Sequence, residues 1–122
     1  MKIINKDILT SESGIICHQV NCQGVMGSGL AKQIRNKWPK VYEEYRANYD
    51  SVRYDVLLLG RVTFTFIDEN ISICNIFGQL NYGYDGKRYT DYGALKTSFD
   101  KIEASEFYEK QLYFPYNFGC DR

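Results

Sequence analysis

His18, Asn21 and the glycines at 24, 27 and 29 are the residues of this chain whose types and spacing could do chemistry together. His18 is the only histidine, and an imidazole titrates near neutral pH, so it could serve as a general base or a nucleophile. The plain alternative is a hydrogen-bonded histidine inside a sheet. Asn21 carries donors and an acceptor suited to the vicinal hydroxyls of a sugar, or to closing an Asx turn. Gly27 and Gly29 remove side chains from the start of a helix, where exposed backbone N–H groups favour an anion such as phosphate. Glycines needed only for turn shape would look the same.

Several familiar sites do not fit these residues. Gly24 and Gly29 have the separation of a Walker loop, but Leu30 stands where its lysine is required. Gly27 and Gly29 begin a dinucleotide fingerprint that Lys32 interrupts. Cys17, His18 and Cys22 match no usual zinc spacing, and strand alternation sends Cys17 and His18 to opposite faces, so no metal is expected. Asp7 could accept from the exocyclic amine of a base, or act as a cap. Tyr82, Tyr84 and Tyr89 could stack on a flat ligand or cover apolar surface.

The elements that must hold these residues follow from hydrophobic period and turn chemistry. Lys2 to Asn5 and Gly14 to Gln19 read as strands. A helix after Gly29 carries Leu30, Ala31, Ile34 and Trp38 on one face. Pro39 bends the chain into a second helix with Val41, Tyr42 and Tyr45. Val62, Phe64 and Phe66 alternate against Thr63 and Thr65, and a turn at Asp68 to Asn70 leads to Ile71–Phe77 as the other arm of an antiparallel hairpin. Thr90 or Asp91 caps a helix whose Tyr92, Leu95, Phe99 and Ile102 form the face that lies on the sheet, and Leu112 to Pro115 is the last strand. Helices alternating with strands and one hairpin imply a three-layer α/β/α domain with a mixed sheet. Such sheets bind ligands beyond the carboxyl ends of their strands, where Asp7, the His18 to Gly29 segment, Gly78 and Phe118 to Cys120 all fall.

A chain of 122 residues with 44% hydrophobic content suits one domain over residues 1–122. Fifteen basic and fifteen acidic residues cancel, so no net field draws the protein to nucleic acid or a membrane. No leader and no apolar run of the ~20 residues needed to cross a bilayer is evident, and a cytoplasmic protein is expected. The four cysteines read as reduced thiols, two of them in strand-like apolar runs.

The stretch Cys17-His18-Gln19-Val20-Asn21-Cys22-Gln23-Gly24-Val25-Met26-Gly27-Ser28-Gly29-Leu30-Ala31, preceded by Lys6-Asp7-Ile8-Leu9, resembles the macrodomain family. Within it the chain is most similar to the phosphatases acting on ADP-ribose 1''-phosphate, many of them small bacterial and phage proteins. Asn75 to Gln79, Arg88 to Leu95 and Phe114 to Cys120 look like later family blocks. The resemblance implies ADP-ribose, or its 1''-phosphate, as ligand, with no cofactor. It implies Asp7 and the Ile8 backbone at adenine, and Asn21 at the distal ribose. Gly27, Ser28, Gly29 and Leu30 would hold the diphosphate, and Phe118, Gly119 and Cys120 match the start of the second phosphate loop. His18 stands at the position implicated in hydrolysis of the 1''-phosphate. A binding module without catalysis is the alternative, and a dinucleotide-dependent domain a third reading.

The chain departs from the family pattern twice. Where a related branch uses a lysine to release ADP-ribose from carboxylates, Gln79 stands near that position and cannot form a Schiff base. The sequence also ends before the usual C-terminal helix and final strand, so the fold is expected to be C-terminally shortened. That final strand would lie between the first strand and Leu112 to Pro115, and its absence is expected to leave strand edges unpaired and open to self-association.

Overall fold

The computed structural model describes residues 2–5, 9, 13–27, 29–82, 89–105 and 111–115. Among the described residues, five strands and three helices follow in the order β1 (Lys2–Asn5), β2 (Gly14–Val20), α1 (Gly29–Lys37), α2 (Pro39–Asp50), β3 (Val62–Phe66), β4 (Ile71–Phe77), α3 (Tyr92–Glu103) and β5 (Gln111–Phe114), with a short 3-10 turn at Asp55–Leu58. They form one mixed sheet in the order β1-β5-β2-β4-β3, parallel throughout except for the β3–β4 hairpin.

Alternation along β2 and β4 divides the interior in two. Ile16 and Val20 with Ile71, Ile73 and Phe77 pack against Ile34 of α1 and Val41 and Tyr45 of α2. Ile15, Cys17, Cys74 and Ile76 face Leu95 and Ile102 of α3 on the other side. β4 is buried along its whole length, as a parallel strand covered on both faces must be. The three-layer reading therefore holds, with α1 and α2 on one face and α3 on the other.

The joints between elements have local causes. Trp38 alone separates α1 from α2: it precedes a proline and adopts φ −132°, ψ 79°, outside the helical region, while Pro39 opens the next helix. Asp91 rather than Thr90 caps α3, its carboxylate accepting from the Ala94 N–H at 3.0 Å.

Three expectations need correction. Phe66 does not turn inward: it is 54% exposed while Thr65 is fully buried, because β3 is an edge strand whose Thr65 hydroxyl reaches under α2 to donate to Glu44 Oε2 at 2.7 Å. Tyr92 is 55% exposed because the buried stripe of α3 runs through Ala94, Leu95, Ser98 and Ile102, which rotates Tyr92 off the sheet. The expected gap beside β5 does not exist. β1 pairs directly with β5, Lys2 opposite Gln111 through Asn5 opposite Phe114, and β5 is bonded to β2 on its other side, so no vacant edge remains between them. Among the described residues no helix is long and apolar enough to cross a membrane.

Candidate functional site

β2 and β4 are adjacent and parallel, and the helices that follow them lie on opposite faces of the sheet. The region beyond their carboxyl ends is the usual ligand position in open α/β sheets. Two loops line it: residues 21–27 after β2 and residues 78–82 after β4. The Cys22 N–H donates to Leu80 O at 3.1 Å, and the Gln23 amide donates to Leu80 O at 2.9 Å and Asp55 Oδ2 at 2.8 Å, so the loops are tied together.

Asn21 is the organiser of the first loop. Its Oδ1 accepts from the Gln23 N–H at 2.9 Å, closing an Asx turn, while its Nδ2 donates to Val25 O at 2.9 Å. The Tyr45 hydroxyl of α2 lies 2.7 Å from Asn21 Oδ1 and 2.9 Å from Asn21 O, and accepts from the Val25 N–H at 3.1 Å. Tyr45 is wholly buried and its ring stacks on Phe77, with centroids 5.7 Å apart. Burial pushes its phenol pKa up, so it stays protonated as a donor.

The glycines differ in what they do. Gly24 adopts φ +76°, and a Cβ there would meet the Tyr49 ring at 2.9 Å. Gly29 opens α1 at φ +58°, and the first turn of that helix carries no acidic residue to repel an anion. Gly27 is exposed beside it, and Leu30 packs its side chain into the α1–α2 side of the core.

His18 lies one turn of the alternation below this loop. It is 1% exposed, on the same face as Ile16 and Val20, with Nε2 2.5 Å from Asn75 Oδ1 directly across on β4. Since Oδ1 can only accept, Nε2 donates, and Nδ1 keeps a bare lone pair, buried and without a partner. Desolvation lowers the imidazole pKa to about 4 and outweighs the Asn75 bond, so the ring is neutral at physiological pH. Its contacts are those of a hydrogen-bonded sheet histidine. Cys17 points to the opposite face, and Cys17, Cys22 and Cys74 are free thiols. Burial, aided by Asp55, pushes the Cys22 thiol up to about 12.

Just past the ends of β2 and β4, Gln19, Gln79 and Thr90 meet. The Gln19 amide donates to Gln79 Oε1 at 2.6 Å and Thr90 Oγ1 at 3.0 Å, and the Gln79 amide donates to Asn81 O at 2.7 Å. Gln79 thus stands two residues past β4, near the expected position, as a hydrogen-bonding group with no amine to offer.

The structure gathers His18, Asn21, Gly27, Gly29 and Leu30 on β2, its loop and α1. Asp7, Ile8, Ser28, Phe118, Gly119 and Cys120 lie outside the described residues, as does Tyr84. By its helical spacing alone, Tyr45 reads only as a core residue. A buried tyrosine must find a partner for its hydroxyl, and that was the available signal for its part in the loop.

No family model matches the chain, and no curated protein matches it. Solved structures do. A macrodomain protein from Streptomyces coelicolor superposes with a TM-score of 0.72 at 26% identity over 93% of this chain and 76% of its own. The fold is that of a macrodomain. A Bacteroides thetaiotaomicron protein gives a TM-score of 0.78 at 24% identity, covering 98% of this chain and 80% of that one. DarTG of Thermosipho africanus, solved in complex with ADP-ribose, gives 0.76 at 18% identity, with 97% of this chain matching 33% of the larger protein. These two likenesses, at 24% and 18% identity, speak for the fold alone.

Proposed function

We propose that this chain binds ADP-ribose or a derivative of it along the carboxyl ends of the strands. The observation that carries this reading is the glycine loop from β2 into the N-terminus of α1, braced at Asn21, in a fold shared with a protein that holds ADP-ribose. In this reading Gly27 through Leu30 hold the diphosphate through backbone N–H groups at the helix start, and Asn21 meets the distal ribose. Asp7 with the Ile8 backbone takes the adenine, and Phe118 to Cys120, as the start of a second phosphate loop, contact the diphosphate. Calorimetric titration with ADP-ribose tests it, and saturable binding that NAD does not match is the expected result. Absence of binding would sink the proposal.

Hydrolysis of ADP-ribose 1''-phosphate is the second reading, and His18 supports it by being neutral with a bare Nδ1. As a general base, Nδ1 would take a proton from a water whose oxygen attacks phosphorus while the bond to the sugar oxygen breaks, and that proton then passes to the leaving oxygen, releasing ADP-ribose and phosphate. The burial of His18 instead favours a module that binds without catalysis, since water must reach a ring that is 1% exposed. Phosphate release from the 1''-phosphate by the parent and by His18→Ala decides between them: equal rates in both remove His18 from any catalytic role.

A further inference from the structure

We infer that Tyr45 is a positioning residue that fixes Asn21 as a hydrogen-bond donor, so that the loop reads an acceptor oxygen on the sugar beyond the diphosphate. The inference rests on the ADP-ribose reading and deepens it.

The polarity of the Asn21 amide is settled by its neighbours. The Gln23 N–H can only donate, so the atom facing it is Oδ1; Val25 O can only accept, so the atom facing it is Nδ2. Oδ1 then receives the Gln23 N–H and the single hydrogen of the Tyr45 hydroxyl, to which it is nearest at 2.7 Å against 2.9 Å for Asn21 O and 3.4 Å for Val25 O, and this fills its acceptor capacity. Nδ2 has given one hydrogen to Val25 and keeps the other. Toward a ligand, Asn21 therefore offers a donor and no acceptor.

Tyr45 can hold this arrangement because its own position is fixed. Its ring is buried on α2 against Phe77, and the hydroxyl bridges both ends of the loop, receiving the Val25 N–H while giving its proton to Asn21. Without the hydroxyl, Oδ1 has a vacant lone pair open to the ligand, and the amide is held only by one bond each to the Gln23 N–H and Val25 O.

The test compares ADP-ribose with ADP, which lacks the distal sugar, by calorimetry on the parent and on Tyr45→Phe. The variant should bind ADP-ribose about tenfold more weakly, the worth of roughly one hydrogen bond, with ADP affinity within about twofold of the parent. In an Asn21→Ala background Tyr45→Phe should cost nothing further for ADP-ribose. A parent that binds neither nucleotide overturns the ADP-ribose reading together with this one. A parent that binds ADP-ribose, with Tyr45→Phe weakening both nucleotides equally or additively with Asn21→Ala, overturns this inference alone. Should Tyr45→Phe fail to fold, hydrogen exchange in the unliganded parent still decides. Val25 must be protected through its bond to Tyr45, and exchange at the rate of an open chain refutes the brace.

Discussion

His18 and Asn75 face each other across the β2–β4 pair with 2.5 Å between Nε2 and Oδ1, and neither side chain reaches solvent. Protonating this ring means placing a charge in the core beside a group that can compensate only one of its two N–H donors. The folded pKa is lowered to about 4 from an ordinary 6.5, so between those values the unfolded chain binds the proton and the folded chain does not. Stability from this source is whole above about pH 6.5, falls as the pH drops toward 4, and levels off below, with a total loss on the order of 3 kcal/mol. Urea denaturation across that window should show the decline, and His18→Gln should flatten it. An unchanged slope in the variant would assign the titration to other groups.

Gly24→Ala should cost about 2 kcal/mol. The backbone at φ +76° charges any side chain with left-handed strain, and the nearest atoms to the new methyl belong to the Tyr49 ring at 2.9 Å and Arg46 Nη1 at 3.0 Å. Tyr49 cannot retreat freely, since Arg46 stacks over it at 4.9 Å. The same displacement should loosen the Asn21 turn and weaken ADP-ribose binding. Equal denaturation midpoints for parent and variant would show that the loop yields without cost.

The sequence made β2, β4 and the helical stripes legible because burial writes itself into hydrophobic period: Ile15 to Val20 and Ile71 to Phe77 are mostly apolar, broken only by His18, Gln19, Ser72 and Asn75, and Val41 and Tyr45 recur at helical spacing. The glycine loop was legible for the same local reason, as a change of chemistry between a strand and a helix. What was not legible depends on register. That His18 meets Asn75 follows only from how two parallel strands distant in sequence align, and that Phe66 faces solvent follows from β3 being the edge. The closure of β1 on β5 is likewise a choice among pairings that strand composition leaves equal. Tyr45 lies between the two cases: its face could be read, but the partner of its hydroxyl could not.

Asp91→Ala should lower stability by about 1 kcal/mol, because the Ala94 N–H at the start of α3 loses its acceptor. Asp91→Asn keeps a side-chain oxygen in place and should restore most of the loss. Thermal unfolding of the two variants checks this, and equal destabilisation by both would mean that charge rather than capping matters at this position.

Gly78 directly follows β4, and its requirement for glycine is steric rather than conformational. A Cβ there would lie 2.6 Å from Leu95 Cδ2 and 2.9 Å from Gln19 Oε1. Both neighbours are held: Leu95 is buried among Ile76, Cys74 and Ile102, and Gln19 is bonded to Gln79 and Thr90. The backbone cannot give way either, since Gly78 O accepts from the Asp91 N–H that starts α3 at 2.7 Å. Gly78→Ala should therefore cost about 1–3 kcal/mol as overpacking. The contact with Leu95 being the shorter, the penalty should shrink in a Leu95→Ala background, where the methyl enters space already vacated. Denaturant unfolding of the two single variants and the double closes the cycle: strict additivity would mean that α3 and the loop after β4 are not in contact through this pair.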